Sequence, residues 1–305
     1  MAQFDVEEVL DRTSPARDLV HRRVVGLRHE LLRRDEEMRR DTADAVHQAR
    51  VTCRRLRSAL ATFGSMLDPS VIRPTRAELR WAAQALGDAR DAEVVLLRLG
   101  GMIEAQDVDV VGPVRLRMER LFRARTESAD ADVAETIASP RYTDLLARLG
   151  HLADAPPWTS AARVEVGEAV PPLVRRDSAR LQRRVVRAAA ASEGLEHDDA
   201  VHDVRKAAKR LRYACESVEP AYGDDATRAV EATTRMTKAL GERQDTVISR
   251  LVVRGLAASA AAAGESTVTY DQLEAREAQH ARECEAVFDE AWAQASRQDL
   301  LAWLE

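Results

Sequence analysis

Two segments of the 305-residue chain recur in the same order at nearly the same separation. VHQARVTCRRLRSAL at 46–60 aligns without gaps with VHDVRKAAKRLRYAC at 201–215, and QALGDARDAEV at 84–94 aligns with KALGERQDTVI at 238–248. A single match of this length can arise by chance, but two collinear matches indicate an internal repeat. The chain therefore reads as a tandem duplication of one unit of about 150 residues.

The repeated unit is predicted to be helical. Hydrophobic residues make up 45% of the chain, with only 13 glycines and 10 prolines, and apolar residues recur at helical spacing almost throughout. The segment 151–172 breaks this period and holds four of the prolines, which is typical of a linker. We predict an all-α fold with a first half at 1–155, a Pro-rich linker at 156–172 and a second half at 173–305.

Each repeat carries a row of basic residues on one helix. At about 100° per residue, the members of each row fall within about 80° of one another, directly beside an apolar face. The first cationic ridge consists of His47, Arg50, Arg54 and Arg57, and the second consists of His202, Arg205, Lys209 and Arg212. Arg55 and Arg210 lie off the ridges, and we expect them in solvent.

The two ridges are short of neighbouring acids. The net charge of the chain is −5, yet residues 46–60 contain no acidic residue and residues 201–215 contain only Asp203. Like charges three or four residues apart destabilise an isolated helix by about 0.2–0.5 kcal/mol per pair. A solvated basic face is the simpler interpretation of one such helix, but the recurrence of the pattern favours neutralisation by acids of other helices or by a bound anion. The two histidines are either packed residues or hydrogen-bond donors to that anion.

The second landmark, LGDARD or LGERQD, places Gly87 and Gly241 at predicted helix breaks. Asp91 and Asp245 follow, and they either pair with the ridges or serve as caps or surface ion-pair partners.

These motifs resemble those of the CHAD family, the conserved histidine α-helical domain proteins. HxxRVxxRRLR is matched from His47 to Arg57, HxxRKxxKRLRY from His202 to Tyr213, and LGxxRD or LGxxxD at Leu86 and Leu240. The resemblance implies two four-helix bundles related by a pseudo-two-fold axis, with a basic channel between them that binds inorganic polyphosphate. It also implies a non-catalytic protein of the cytoplasm, in some cases associated with polyphosphate granules. The implied binding residues are His47, Arg50, Arg54, Arg57, His202, Arg205, Lys206, Lys209 and Arg212, with Arg28, Arg183, Tyr213, Lys238 and Arg90 as further contacts.

No catalytic residue, cofactor or metal site is expected. Three distant cysteines without a CxxC pair argue against a disulfide framework and a thiolate zinc site and fit a reducing cytosol. The acidic N-terminus lacks the features of a signal peptide, and no apolar run is long enough to span a membrane.

Three other functions stay open. His197-Asp198 and His202-Asp203 resemble the HD dipeptide of helical metal-dependent phosphohydrolases, although the first repeat has His47-Gln48. A nucleic-acid-binding protein would use the same basic helices, but aromatic residues for base stacking are sparse. In an interaction scaffold, the ridges would contact acidic helices of a protein partner.

Overall fold

The computed structural model describes residues 9–297 and 300–304, apart from the side chains of 88–94, 129 and 297. The predicted all-α fold is confirmed. The first part of the chain forms α1 (Ala16–Arg39), α2 (Ala45–Thr62), α3 (Pro69–Ala85), α4 (Asp88–Glu104), α5 (Val114–Ala138) and α6 (Pro140–Asp154). After the short helix α7 (Val166–Ala169), the second part forms α8 (Pro171–Ala189), α9 (Leu195–Tyr222), α10 (Asp224–Ala262) and α11 (Val268–Arg297).

The ridge helices α2 and α9 occupy equivalent positions in the two repeats. Each lies beside the helix that precedes it, α1 or α8, and α2 and α9 also contact each other. Their apolar faces are buried as predicted, with Cys53 and Leu56 of α2 and Ala208 and Leu211 of α9 at most 3% exposed. Burial of these faces fixes the rotation of both helices and so determines where the ridges point.

The two glycines of the second landmark have different conformations. Gly87 separates α3 from α4, as predicted. The expected break at Gly241 is wrong, because the 39-residue helix α10 passes through this position without interruption. A glycine inside a helix costs about 1 kcal/mol relative to alanine. Packing on both sides offsets this cost, since Leu240 and Arg243 are 1% and 4% exposed.

The hydrophobic core crosses from one repeat to the other. One buried cluster combines residues of α1, α2, α3 and α6 with residues of α8, α9 and α10. A second cluster joins α4 and α5 to the C-terminal part of α10 and the N-terminal part of α11, and it contains Leu99, Phe122, Val253 and Leu273. The two halves therefore share their cores, while the pseudo-two-fold relation of two four-helix bundles stays a prediction.

The segment predicted as a linker is packed against the first repeat. Ala16 donates its backbone N–H to Val164 O at 2.9 Å, and Asp68 donates to Pro157 O at the same distance. Val166 and Val170 are fully buried. Residues 156–172 thus contribute to the core, and the division of the chain at this segment stays a prediction.

No helix in the described part of the chain combines the length and the apolar character that spanning a bilayer requires.

Candidate functional site

The two cationic ridges approach each other where α2 meets α9. Burial and the charges of Arg205, Arg54 and Arg212 together lower the pKa of Lys209 to about 7, while the charge of Asp245 acts in the opposite direction. Arg54 belongs to the first ridge and Lys209 to the second. Because unit charges influence each other strongly only over short distances in partly buried surroundings, this effect shows that the ridges are neighbours in space.

The positive region continues from the first ridge onto α3. Burial lowers the pKa of Arg57, and the charges of Arg54, Arg80 and Arg76 act in the same direction. Among the side chains that the structure describes, no carboxylate forms an ion pair with Arg54, Arg57, Arg76 or Lys209. Four cations are therefore held together with only the charge of Asp245 acting against them at Lys209, an arrangement that favours binding of an anion.

The landmark glycines lie beneath the first arginine of each ridge. A Cβ atom added to Gly87 would lie 3.4 Å from Nη2 of Arg50, and one added to Gly241 would lie 3.8 Å from Nη2 of Arg205. Glycine lets each guanidinium approach the helix backbone closely. This duplicated contact gives a physical reason why the two landmarks occur together in both repeats.

The histidine of the second ridge is fixed by a hydrogen bond. Nδ1 of His202 donates to Oε1 of Gln244 at 2.7 Å. Burial lowers the pKa of His202, the hydrogen bond from Gln244 opposes this change, and the charges of Lys206 and Arg205 lower the pKa further. The neutral ring therefore predominates at neutral pH, and an anion at Nε2 would favour its protonation. His47 occupies the equivalent position on α2 and is half-buried.

The expectation that Arg55 and Arg210 lie in solvent is wrong. Nε of Arg55 lies 3.1 Å from Oε2 of Glu216, which joins α2 to α9. Nε of Arg210 lies 2.7 Å from Oδ1 of the fully buried Asp177 on α8. A helical wheel gives the angle of a residue on its own helix, but the neighbouring helix decides whether that angle is covered.

Part of the second ridge is neutralised by the protein itself. Nε of Arg212 lies 3.3 Å from Glu216, and Nη2 of Arg23 lies 2.9 Å from the same carboxylate. The guanidinium of Arg212 also stands 5.0 Å from the ring centroid of Tyr213, which is 5% exposed. With Arg55, three guanidiniums share Glu216, so this carboxylate compensates only part of the local positive charge.

Lys206 contacts a surface carboxylate rather than the residues of the second ridge. Its side chain is 61% exposed and its Nζ lies 2.5 Å from Oδ1 of Asp203, which also pairs with Arg184 at 3.0 Å. The second HD dipeptide thus contributes its carboxylate to a surface ion-pair cluster.

The further contact residues are dispersed. Arg28 lies over Gly150 of α6, with its Nη2 3.4 Å from a Cβ added there, and Arg183 and Lys238 are exposed. The structure brings none of these three into a described contact with the ridges. The side chains of Arg90 and Asp91 lie outside the described residues.

Residues 26–254 match the family model of the CHAD domain. The chain belongs to the CHAD family. The family assignment made from the duplicated HxxR and LG motifs is therefore confirmed.

The similar proteins include two from Mycobacterium tuberculosis, Rv2226 of strain H37Rv and MT2285 of strain CDC 1551. Each is 34% identical over 286 residues, which cover 91% of this chain and 53% of the relative. The chain thus spans about half the length of these curated relatives.

Two solved structures share the fold. PptA from Streptomyces chartreusis superposes with a TM-score of 0.76 at 21% identity and covers 92% of this chain and 100% of its own. The CHAD domain from the plant Ricinus communis superposes with a TM-score of 0.63 at 22% identity, over 96% of this chain and 91% of its own. These likenesses establish a CHAD-type helical fold.

Sequence reasoning missed the basic residues that flank the ridges. The charges of Arg76 and Arg80 on α3 lower the pKa of Arg57. Burial and then the charge of Arg210 lower the pKa of Arg180, which lies on α8. The spacing RxxRxxxR at 73–80 is the signal that could have revealed the α3 residues, because it places three arginines on one helix face.

The first HD dipeptide belongs to an ion-pair network. Asp198 and Glu285 both contact Arg243, at 2.5 and 2.7 Å, and Nε2 of His197 lies 3.2 Å from Glu285. Arg243 is 4% exposed and lies between the two carboxylates, where a phosphohydrolase would need a metal ion. The geometry gives this alternative no support.

Proposed function

We propose that this chain binds inorganic polyphosphate without catalysis, in a basic channel where the HxxR ridges of α2 and α9 meet. The observation that carries the proposal is the proximity of Arg54 and Lys209, two partly buried cations from different repeats that form no ion pair with a carboxylate in the described part of the chain. Membership of the CHAD family supports the same ligand.

A linear polyphosphate matches the chemistry of this surface. The polymer carries about one negative charge per phosphate and no bases, so it requires spaced cations rather than stacking groups. Guanidinium groups bind phosphate oxygens through two parallel hydrogen bonds. Arg54, Arg57, Arg76 and Arg80 provide such groups on successive turns of α2 and α3.

Single-stranded nucleic acid suits the surface less well. Base stacking needs an accessible aromatic ring. Tyr213 is the aromatic residue nearest the second ridge in sequence, and it is 5% exposed, with Arg55 and Arg212 at 5.8 and 5.0 Å from its ring centroid. We therefore place polyphosphate ahead of RNA or DNA as the polyanion.

The direct test reverses the charges where the ridges meet. We expect the double variant Arg54→Glu/Lys209→Glu to lose binding of long-chain polyphosphate, measured by titration calorimetry. A matched control reverses two exposed arginines of α5, Arg115→Glu/Arg123→Glu, with the same change of net charge. Circular dichroism checks that both variants keep the helical content of the parent chain.

Equal weakening in the two double variants would reduce the effect to overall charge and contradict the site. Binding to the parent chain should also fall steeply with salt, because affinity comes largely from counterion release. Displacement of polyphosphate by single-stranded RNA at equal phosphate concentration would favour a nucleic-acid-binding protein. Sustained release of phosphate with added divalent metal would instead identify an enzyme.

A further inference from the structure

A second cluster of polar side chains lies between α10 and α11 and takes no part in the proposed polyphosphate site. Glu242 of α10 directly follows Gly241, and His280 and Cys284 are four residues apart on α11. We propose that Glu242, His280 and Cys284 bind a divalent transition-metal ion, with zinc as the ion that suits this ligand set. The proposal goes beyond polyphosphate binding and does not depend on it.

The three ligand atoms are spaced for one metal ion. The nitrogen, sulfur and oxygen atoms all lie within 4.8 Å of one another. Sγ of Cys284 lies 3.4 Å from Nε2 of His280, and Oε2 of Glu242 lies 4.0 Å from the same nitrogen. A tetrahedral zinc site has edges of about 3.5 Å between sulfur and nitrogen and about 3.3 Å between nitrogen and oxygen. A small movement of the Glu242 side chain, which is 44% exposed, completes the geometry.

The histidine ring is oriented as a metal ligand. Nδ1 of His280 lies 3.3 Å from Oε2 of Glu283, a carboxylate that accepts a hydrogen bond from the Nδ1–H group. This hydrogen bond leaves the lone pair of Nε2 directed at Cys284. A histidine that binds metal through one ring nitrogen normally donates the other N–H to a carboxylate or carbonyl, which fixes its tautomer and orientation. Glu283 supplies that outer contact.

The charge and exposure of the cluster also fit zinc. A neutral imidazole, one thiolate and one carboxylate together carry two negative charges, which balance a divalent cation. Arg98, a cation whose charge acts on Cys284, is paired with the fully buried Glu277 at 2.6 Å. Cys284 is 3% exposed, whereas 34% of the His280 side chain is accessible. The solvent side therefore leaves the fourth coordination position to water.

The spacing of the cysteines in the sequence argues against a zinc site built from several thiolates, and it does not bear on a site with one. His280 and Cys284 share a helix face because they are four residues apart. The third ligand, Glu242, precedes His280 by nearly 40 residues in the sequence and lies on a different helix. The three ligands therefore come together only when α10 packs against α11. Binding would break the S–H bond of Cys284, form the metal–sulfur bond and release one proton to solvent.

The test uses the full chain without an affinity tag and cobalt(II) as the spectroscopic probe. We expect one equivalent of Co²⁺ to produce a thiolate-to-cobalt charge-transfer band and the intense visible bands of tetrahedral coordination. Zn²⁺ should abolish both by displacement. Cys284→Ser should lose the charge-transfer band, and His280→Gln should lose the tetrahedral bands. Zn²⁺ should raise the melting temperature of the parent chain but not that of either variant.

The matched control is His29→Gln, which removes an exposed histidine of α1 and should leave the cobalt spectrum unchanged. His280→Gln lies at a partly exposed position, so the test does not depend on whether Cys284→Ser folds. Retention of the charge-transfer band in Cys284→Ser, or the weak spectrum of octahedral cobalt in the parent chain, would overturn the proposal. Neither outcome would contradict the proposed polyphosphate site.

Discussion

Lys209 should make polyphosphate binding depend on pH above neutrality. Burial and the charges of Arg205, Arg54 and Arg212 lower its pKa to about 7, against the partial compensation of Asp245. Phosphate oxygens beside the amine favour the ammonium form and raise the pKa in the complex. Below about pH 7 the amine is protonated in both states, so Lys209 no longer makes the affinity depend on pH. At higher pH, binding must take up a proton, so the affinity falls as the pH rises.

The size of this effect has an upper limit. Restoring the pKa of Lys209 from about 7 to its ordinary value of 10.5 would contribute about 5 kcal/mol, since one pKa unit corresponds to 1.36 kcal/mol. Within the window between the free and bound pKa values, uptake of one proton weakens binding about tenfold per pH unit. His202 adds little there, because its lowered pKa leaves it neutral before this window begins.

The assay measures the dissociation constant of long-chain polyphosphate from about pH 6 to about pH 9 at constant ionic strength, the range that brackets the lowered pKa of the lysine. The control variant Lys209→Arg keeps a cation that does not titrate in this range, so its affinity should be independent of pH above neutrality. A parent chain without this slope, or the same slope in Lys209→Arg, would refute the reasoning.

Two further predictions concern the contacts that position the ridges. Glu216→Gln removes the carboxylate shared by three guanidiniums and should lower the free energy of unfolding by about 3 kcal/mol in a denaturant titration. The control Glu36→Gln, at a carboxylate that is 67% exposed, should change the free energy of unfolding by less than about 1 kcal/mol. Equal effects of the two substitutions would contradict a special role for the shared contact. Gly87→Ala places a Cβ 2.7 Å from Gln84 O and should both destabilise the fold by about 1–3 kcal/mol and weaken polyphosphate binding through Arg50. Gly255→Ala, in open space within α10, should instead stabilise by up to about 1 kcal/mol without changing affinity; a loss of affinity in both variants, or in neither, would contradict this role for Gly87.

Much of the architecture follows from patterns within single helices. The periodicity of apolar residues predicts the helices, and the burial of Cys53 and Ala208 confirms the apolar faces beside the ridges. Local chemistry also predicts the break at Gly87, where α3 ends and α4 begins. The same reasoning fails at Gly241, because packing of α10 against α9 and α11 outweighs the weak helix propensity of glycine.

Contacts between helices could not be predicted from the sequence. The angle of Arg55 on α2 does not reveal that Glu216 of α9 stands opposite it, and the spacing of Arg76 on α3 does not reveal that it approaches Arg210. The three ligands proposed for zinc were missed for the same reason, since Glu242 meets His280 only through packing of two helices. Such juxtapositions depend on the tertiary arrangement rather than on local spacing.

The shared core has a consequence for how a doubled chain of this kind arises. If either repeat were removed, residues of α2 or α9 that are now fully covered would face water, and the fragment would recover that loss only by associating with a second molecule. Such association weakens as the protein is diluted, whereas two repeats on one chain remain at a fixed effective concentration. A chain that carries both repeats therefore keeps its shared core on dilution, and each repeat can acquire residues that the other lacks, such as the metal-ligand cluster proposed between α10 and α11.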